Sequence, residues 1–224
     1  MTVGFRILTQ WERTDRSYVN DFAQLPASVV SDVMSRHYAA GSQLRPMHKN
    51  GVLCGPALTV KTRPGDNLMI HKAIEMAQPG DVIVVDAGGD LTNSLMGELM
   101  LAHAIKRQVA GFVLNGAIRD AEAFLERNLP VYAAGITHRG PYRDGPGEIG
   151  FPVSFNSMPI EAGDLILGDF DGIVSVKKAD LETVLIAARK KLASEIKQME
   201  QTEDGSVNKS WIDQVLKEKG CKFI

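Results

Sequence analysis

Glycine-containing stretches with acidic or cationic residues follow two predicted buried strands. Asp86-Ala87-Gly88-Gly89-Asp90 comes after the apolar run 82–85, and Asn115-Gly116-Ala117-Ile118-Arg119-Asp120 comes after the apolar run 111–114. Gly97-Glu98-Leu99-Met100 lies between them along the chain. In an open parallel sheet, ligands bind outside the carboxyl ends of the strands. Because glycine lets a ligand approach the backbone closely, these stretches predict a binding site.

Gly97 lies within an otherwise helical pattern, where glycine costs about 1 kcal/mol relative to alanine. One interpretation is that the regular helix begins at this residue. The free backbone N–H groups of its first turn would then form an anion site at the strand end. The other interpretation is a close helix–strand contact that requires a small residue. The pattern leaves both open.

Three ionisable residues of these stretches have a structural as well as a functional interpretation. Glu98 would favour the first turn of a helix for dipole reasons alone. Arg119 offers a planar fork that pairs with carboxylates, and Asp120 can hold a hard cation such as Mg²⁺. Alternatively, Asp120 is the N-cap of a helix over 121–127, and Arg119 forms a surface ion pair.

The elements that must position these residues alternate between strand and helix, which indicates parallel strands with helical crossovers and an α/β fold. The predicted strands are 57–62, 82–85, 111–114, 130–134, 152–155 and a hairpin within 164–176 that turns at 168–172. The predicted helices are 25–36, 68–77, a stretch from after Asp90 to about Arg107, 121–127, one capped by Asp180 that runs to about Gln201, and a last one capped by Ser210. Residues 40–52 and 135–150 are predicted to be loops.

Composition bounds the class of protein. The 224 residues predict an N-terminal arm (1–24), a single catalytic domain (25–185) and a C-terminal helical extension (186–224). Hydrophobic content of 44% and charged content of 23% exclude a disordered chain. A net charge of −2 argues against a nucleic-acid surface, and no apolar run is long enough to predict a membrane span. The two cysteines and the absence of a secretory signal predict a cytoplasmic protein.

Several other polar residues are weaker candidates. His71 and His103 fall on helical patterns, where a core or surface histidine is the simpler account. His138, Arg139 and Arg143 lie in the long loop over 135–150. They would contact an anionic substrate, or else they order the loop or a subunit contact.

The residues resemble the family of the regulator of ribonuclease E activity A, which also holds the class II 4-hydroxy-4-methyl-2-oxoglutarate aldolases. The resemblance spans roughly residues 25–185. It is carried by Asp86-Ala87-Gly88-Gly89, Gly97-Glu98-Leu99, Asn115-Gly116-Ala117-Ile118-Arg119-Asp120 and Gly168-Asp169-Phe170-Asp171-Gly172-Ile173-Val174.

The family's aldolase fingerprint is a carboxylate, twenty residues, Arg-Asp, two residues and an acid. Glu98 is followed by twenty residues and then by Arg119 and Asp120, so the spacing is kept. The chain departs from the fingerprint at two positions. Its first acid is Glu98, where the aldolases usually have Asp, and Ala123 stands at the last acid position, with Glu122 beside it.

The resemblance implies a three-layer β/β/α fold of the swivelling-domain type and a homotrimer or hexamer. It implies an enzyme that cleaves a C–C bond of a 4-carboxy-2-keto acid to give pyruvate through a metal-stabilised enolate, as a 4-hydroxy-4-methyl-2-oxoglutarate aldolase, an oxaloacetate decarboxylase or both. Asp120 would bind Mg²⁺ or Mn²⁺, largely through waters, and Glu98 would contact a water of that ion. The implied catalytic residues are Arg119 and Asp120, and the implied substrate-binding residues are Gly97, Glu98, Leu99, Met100 and Arg119.

Three alternatives remain open at this point. The first is a non-catalytic regulator that binds a ribonuclease or another protein partner. The second is a Schiff-base aldolase that uses Lys61 or Lys72. The third is a related metal-dependent hydrolase or lyase that acts on another dicarboxylate.

Overall fold

The computed structural model describes residues 3–222 and residue 224. The helices are α1 (Arg16–Phe22), α2 (Ala27–Val33), α3 (Leu68–Met76), α4 (Glu98–Lys106), α5 (Ala121–Arg127), α6 (Leu181–Glu203) and α7 (Ser210–Glu218). The strands are β1 (Phe5–Ile7), β2 (Arg45–Pro46), β3 (Leu53–Thr62), β4 (Val82–Asp86), β5 (Ser94–Met96), β6 (Gly111–Ile118), β7 (Val131–Ile136), β8 (Gly147–Ile149), β9 (Val153–Phe155), β10 (Met158–Ile160), β11 (Leu165–Asp169) and β12 (Gly172–Val176).

The main sheet has the strand order β1-β8-β3-β4-β6-β7-β2, and its centre is parallel. Strands β3, β4, β6 and β7 pair in parallel, while β8 and β2 pair antiparallel with β3 and β7. The short strand β5 pairs in parallel with the end of β6. The first half of β3 also pairs with β11, which forms an antiparallel hairpin with β12.

Both faces of the central strands are buried, which explains their continuous apolar runs. Ile83 and Val85 of β4 face a core shared with α3, α4 and α5. Val82 and Val84 face the opposite core, shared with β9–β12. Successive side chains of a strand point to opposite faces, so one strand serves both cores. The result is the predicted three-layer β/β/α arrangement, and α1, α2 and α6 pack on the outer face of the β11–β12 hairpin.

The predicted α/β class, the parallel βα units and the C-terminal helices are confirmed. Helices α3, α5 and α6 begin within one residue of the predicted starts, and the hairpin turns where predicted. One cap assignment holds in position only, and the other is wrong by one residue. Asp180 stands at the cap position of α6, but its side chain makes no capping bond. Ser210 is the first residue of α7, and its N–H donates to Asn208 Oδ1.

The predicted helix between Asp90 and Arg107 is wrong in its first part, because residues 94–96 form β5 and the helix begins only at Glu98. The predicted end of the next strand at Leu114 is also wrong. Strand β6 continues to Ile118, since its last residues pair with β5 on one side and β7 on the other.

Other predicted irregular segments also contain short elements. Residues 40–52 include β2, and residues 135–150 include β8. The N-terminal arm carries β1, which pairs with β8, and α1, which contacts β3 and α6. These pairings join segments far apart in sequence, so local patterns do not report them. Helix α6 crosses the predicted boundary at residue 185, and the division into arm, domain and extension stays a prediction.

Within the described residues, no helix combines the length and the apolar character that crossing a bilayer requires.

Candidate active site

Strands β5 and β6 end side by side, and this register brings the predicted site residues together. Met96 and Ile118 are partners at the ends of the two strands. The chain then continues from β5 into Gly97 and α4, and from β6 into Arg119, Asp120 and α5. The N–H of Arg119 donates to the carbonyl of Met96 at 2.9 Å, which joins the two strand ends. The residues predicted to form a site at the strand ends therefore lie at one place.

Position 97 requires glycine because neighbouring atoms leave no room for a side chain, and its backbone angles do not require it. It is the N-cap of α4 and has an extended conformation, with φ −139°. A Cβ at this position would lie 2.5 Å from Asp120 Oδ2 and 3.0 Å from both Cγ and Nε of Arg119. Both interpretations of Gly97 hold: the helix begins there, and close packing excludes a larger residue.

Asp120 caps the neighbouring helix instead of its own. It has a left-handed conformation at φ 57°, and its side chain makes no capping bond to α5. Its Oδ2 accepts a hydrogen bond of 3.0 Å from the N–H of Glu98, the first residue of α4. Asp120 therefore stands at the predicted N-cap position of the helix over 121–127, but its side chain does not cap that helix. One carboxylate oxygen of Asp120 is engaged, and its side chain is 45% exposed, so the carboxylate is accessible to a ligand.

Arg119 lies beside the same carboxylate oxygen. Its Nε is 3.7 Å from Asp120 Oδ2, and its side chain is 40% exposed. A guanidinium so placed offers its remaining N–H groups to an anionic ligand.

The first turn of α4 provides two open N–H groups rather than three. The N–H of Glu98 is used by Asp120, and the N–H of Leu101 donates to the carbonyl of Gly97. The N–H groups of Leu99 and Met100, in the same first turn, have no acceptor within the helix. Helix N-termini favour anions because of such free donors and the helix dipole. The carboxylate site at this helix start stays a prediction, and of its three N–H groups that of Glu98 is already engaged by Asp120.

Glu98 forms an ion pair that the sequence did not indicate. Its Oε1 accepts from both nitrogens of Arg127 that face it, NH2 at 2.7 Å and Nε at 3.3 Å. Arg127 lies in the last turn of α5, where the helix dipole by itself favours a cation. The sequence therefore offered no reason to pair it with Glu98. The two side chains are half-exposed, and Oε2 of Glu98 has no partner in the described part of the chain.

An open depression of about 440 Å³ adjoins the site and is acidic. It is lined by Glu98, Asp120, Ala121, Glu122, Ala123 and Glu126. Ala123, at the last acid position of the fingerprint, is nearly buried in this wall. Carboxylates are nevertheless present there, since Glu122 and Glu126 line the same depression.

These side chains suit a divalent cation that keeps most of its waters better than one enclosed by protein ligands. Among residues 3–222 and 224, no group of three or more His, Cys, Asp or Glu side chains is placed to hold a metal ion. Mg²⁺ usually keeps several waters and takes only one or two protein carboxylates. Asp120, with one oxygen engaged and the side chain open to solvent, fits such an ion.

The loop after β4 is held together by its own hydrogen bonds. Asp86 Oδ1 accepts from Gly88 N–H at 3.0 Å and from Asn115 Nδ2 at 3.2 Å. Asp86 and Asn115 are both buried, and Lys61 Nζ lies 3.9 Å from Asp86 Oδ2. These contacts shape the turn but leave no buried charge without a partner.

The surroundings of Lys61, Lys72 and Cys54 do not favour a nucleophile. Lys61 is 61% exposed, and Lys72, 49% exposed, pairs with Glu75 at 3.2 Å. A Schiff-base lysine is activated by desolvation or by a neighbouring cation. Both lysines are instead largely exposed beside a carboxylate, although Lys72 borders an open depression that Trp11 and Arg13 also line. Burial raises the pKa of the Cys54 thiol to about 12, which disfavours the reactive thiolate.

The remaining sequence candidates lie on the elements around the site. His71 of α3 is half-buried, and burial together with Arg143 and His103 lowers its pKa. His138, Arg139 and Arg143 are exposed on the segment before β8. Buried polar residues that the sequence did not single out, Asp66, Asn93 and Ser94, hold this segment in place.

The comparison with family models decides the family. Residues 27–175 match the RraA-like model, described as Aldolase/RraA. The chain belongs to the RraA-like family. The match covers the chain from α2 to β12, and it includes every residue of the site above.

Relatives of this RraA-like chain agree with the assignment. It is 39% identical over 178 residues to a protein of Halalkalibacterium halodurans named "Putative 4-hydroxy-4-methyl-2-oxoglutarate aldolase", covering 80% of this chain and 85% of the relative. Among solved structures, it resembles an uncharacterized protein of Pseudomonas syringae pv. tomato with TM-score 0.80 and 21% identity, over 88% of this chain and 93% of that one. It also resembles Streptomyces coelicolor RraAS2, an unusual member of the RNase ES inhibitor RraA family, with TM-score 0.77 and 24% identity, over 85% and 100% of the two chains. At these identities, the two structures support the fold of this RraA-like chain.

Proposed function

We propose that this protein is a divalent-metal-dependent lyase that cleaves a C–C bond of a 4-carboxy-2-keto acid to give pyruvate. The observation that carries the proposal is the convergence of three kinds of group at the ends of β5 and β6. These are the Asp120 carboxylate, the Arg119 guanidinium and the open N–H groups of Leu99 and Met100. The name of the 39% identical relative points to the same reaction.

The chain's own groups bind the substrate and stabilise the charge that develops on it. The N–H groups of Leu99 and Met100 bind the carboxylate beside the keto group, and Arg119 pairs with the same end of the substrate. Negative charge develops on the keto oxygen as the C–C bond breaks and an enolate forms. Arg119 is already oriented beside that end, so it stabilises the charge where it appears. In the aldol cleavage the hydroxyl on C4 gives up its proton and C4 becomes the keto carbon of a second pyruvate, and in the decarboxylation the lost group leaves as CO2. The enolate then takes a proton at its methylene carbon, which gives pyruvate.

Asp120 would hold Mg²⁺ or Mn²⁺ through its carboxylate, with Glu98 near the ion's waters. When bound, the ion supplies Lewis-acid polarisation of the keto group and an ionisable water near neutral pH. Asp120 is kept in place for this role by the N–H of Glu98, at 3.0 Å. The same enolate forms from 4-hydroxy-4-methyl-2-oxoglutarate and from oxaloacetate, so one site serves an aldol cleavage and a decarboxylation.

The deciding experiment is an assay of pyruvate release from both substrates, with Mg²⁺ and then with excess EDTA. Metal-dependent release from either substrate is expected. Release that survives EDTA would contradict the metal site and favour a lysine mechanism. If neither substrate releases pyruvate, the result would favour an enzyme that acts on another dicarboxylate, or a non-catalytic regulator that binds a ribonuclease.

We further propose that the protein is a homotrimer or hexamer. Helix α6 packs on the body only as far as Leu192, and beyond it Met199 and Trp211 are 61% and 60% exposed. Large apolar side chains of this kind are typical of surfaces that contact another chain. Light scattering coupled to gel filtration would measure the mass, and a monomer would contradict the proposal.

A further inference from the structure

The segment over 137–145 lies against the guanidinium of Arg119. The N–H of Thr137 donates to the carbonyl of Ile118 at 2.9 Å, so the segment leaves the sheet next to the end of β6. Three residues later, a Cβ on Gly140 would be 3.4 Å from NH1 of Arg119. This segment therefore forms a wall of the site beside the predicted substrate.

Buried side chains from other elements fix the backbone of this wall. The carbonyl of Arg139 accepts from the N–H and the hydroxyl of Ser94, at 2.8 and 3.0 Å, and the carbonyl of Gly140 accepts from Asn93 Nδ2. Asp66 Oδ2 accepts from the N–H groups of Asp144 and Gly145 at 2.7 and 2.9 Å. Ser94 and Asp66 are fully buried. A wall held in this way is preorganised, so a ligand does not have to order it on binding.

The wall carries a cation that no contact in the described structure explains. Arg139 is exposed and has no carboxylate within ion-pair distance among the described residues. It immediately precedes Gly140, and consecutive Cα atoms are about 3.8 Å apart, so the backbone of Arg139 lies next to the residue that borders Arg119. From that position the long arginine side chain can reach an anion bound beside Arg119. Arg143, on the same segment, lies instead near His71 of α3.

We propose that Arg139 binds the second, distal carboxylate of the substrate and so selects 2-keto dicarboxylates over 2-keto monocarboxylates. The inference rests on the proposed function, because it takes the keto-acid end to be bound at Arg119 and α4. A guanidinium pairs with a carboxylate through parallel N–H···O bonds, which gives geometric selectivity as well as affinity. Arg139 is then a specificity-determining residue, and bond cleavage itself does not require it.

Two unreactive probes of equal chain length test this assignment. 2-Oxoglutarate and 2-oxopentanoate share the keto-acid end and differ only in a terminal carboxylate or methyl group. Their dissociation constants would be measured by calorimetry on the whole chain with Mg²⁺. We expect the wild type to bind 2-oxoglutarate about tenfold or more tightly than 2-oxopentanoate, as for one charge-assisted pair. Arg139→Gln should bind the two probes equally, and the control Arg143→Gln should keep the preference.

A second measurement separates this proposal from the proposed function. Exchange of the methyl protons of pyruvate with solvent reports enolate formation, and pyruvate has no distal carboxylate. Arg139→Gln should therefore keep the wild-type exchange rate while its KM for oxaloacetate rises.

The outcomes against the proposal are distinct. A preference for 2-oxoglutarate that persists in Arg139→Gln, or a wild type without any preference, overturns the role of Arg139 alone. If neither probe binds and pyruvate does not exchange, the proposed function fails as well.

Discussion

The N–H of Glu98 donates to Oδ2 of Asp120, 22 residues further along the chain, at 3.0 Å. The bond connects the start of α4 to the residue before α5, because Met96 and Ile118 are paired at the ends of β5 and β6. A carboxylate that caps one helix is thereby placed beside Arg119. The same interaction gives Asp120 a structural role that can be separated by mutation from the proposed catalytic one.

Asp120→Asn should abolish pyruvate release while leaving the fold almost as stable as the wild type. An asparagine oxygen still accepts from Glu98 N–H, but it lacks the charge that holds a divalent cation. Asp120→Ala should lose both the hydrogen bond from Glu98 N–H and the charge. Loss of the cap should lower the free energy of unfolding by about 0.5–2 kcal/mol. We expect at least a 100-fold loss of kcat in both variants, as for removal of a group that stabilises developing charge. Thermal melts and the pyruvate assay would measure the two effects.

Asp15 offers the matched control, since its side chain accepts from Ser17 N–H at 2.8 Å and caps α1. Asp15→Ala should lose a comparable cap and keep full activity. Wild-type activity in Asp120→Asn would contradict the metal assignment.

Gly97→Ala should impair the site more than it impairs the fold. The added methyl group would lie 2.5 Å from Asp120 Oδ2, so the carboxylate and Arg119 must move. Overpacking of this kind costs about 1–3 kcal/mol, and a displacement of about 1 Å at reacting groups costs about 100-fold in rate. The kcat/KM for oxaloacetate and the melting temperature would be measured together. In Gly140→Ala the nearest atom is at 3.4 Å, so a much smaller loss is expected, and equal losses would refute the steric argument.

Lys61→Gln and Lys72→Gln should each retain metal-dependent pyruvate release. Both lysines are exposed and lie beside carboxylates, and the proposed reaction needs no amine. Treatment with borohydride in the presence of pyruvate should leave the wild type active and without added mass. Inactivation that disappears in one of these variants would identify a Schiff-base lysine instead.

His71 should make the folded state less stable as the pH falls. Burial, helped by Arg143 and His103, lowers its pKa in the folded protein below the usual value of 6.5. The unfolded chain then binds more protons between the lowered pKa and 6.5, so stability from this group is lost as the pH decreases through 6.5 toward that lower value. Melting temperatures at pH 7.5 and 5.5 should differ less in His71→Gln than in the wild type. The exposed His37→Gln should behave as the wild type, and an unchanged difference in His71→Gln would contradict the effect.

The sequence alone predicted two kinds of element. These are helices with a periodic apolar face and strands that are buried on both faces. The apolar run over 82–85 predicted a buried parallel strand, and residues 68–77 predicted α3 from their periodic apolar face. The resemblance to the family fingerprint implied that Glu98, Arg119 and Asp120 belong to one site. The predictions of the strand and the helix succeeded because the burial of a strand and the periodicity of a helix are encoded in adjacent residues.

Tertiary structure alone decided which groups meet and what each one touches. Strand β5 exists because it pairs with β6. Its three residues are too few to show a strand pattern, so the sequence predicted them as part of the helix that follows. The capping of α4 by Asp120, the pairing of Glu98 with Arg127 and the anchoring of the segment beside Arg119 all join residues 22 or more positions apart. Such contacts depend on strand register and loop path, which only the packed chain determines, and they are the contacts that make these residues a site.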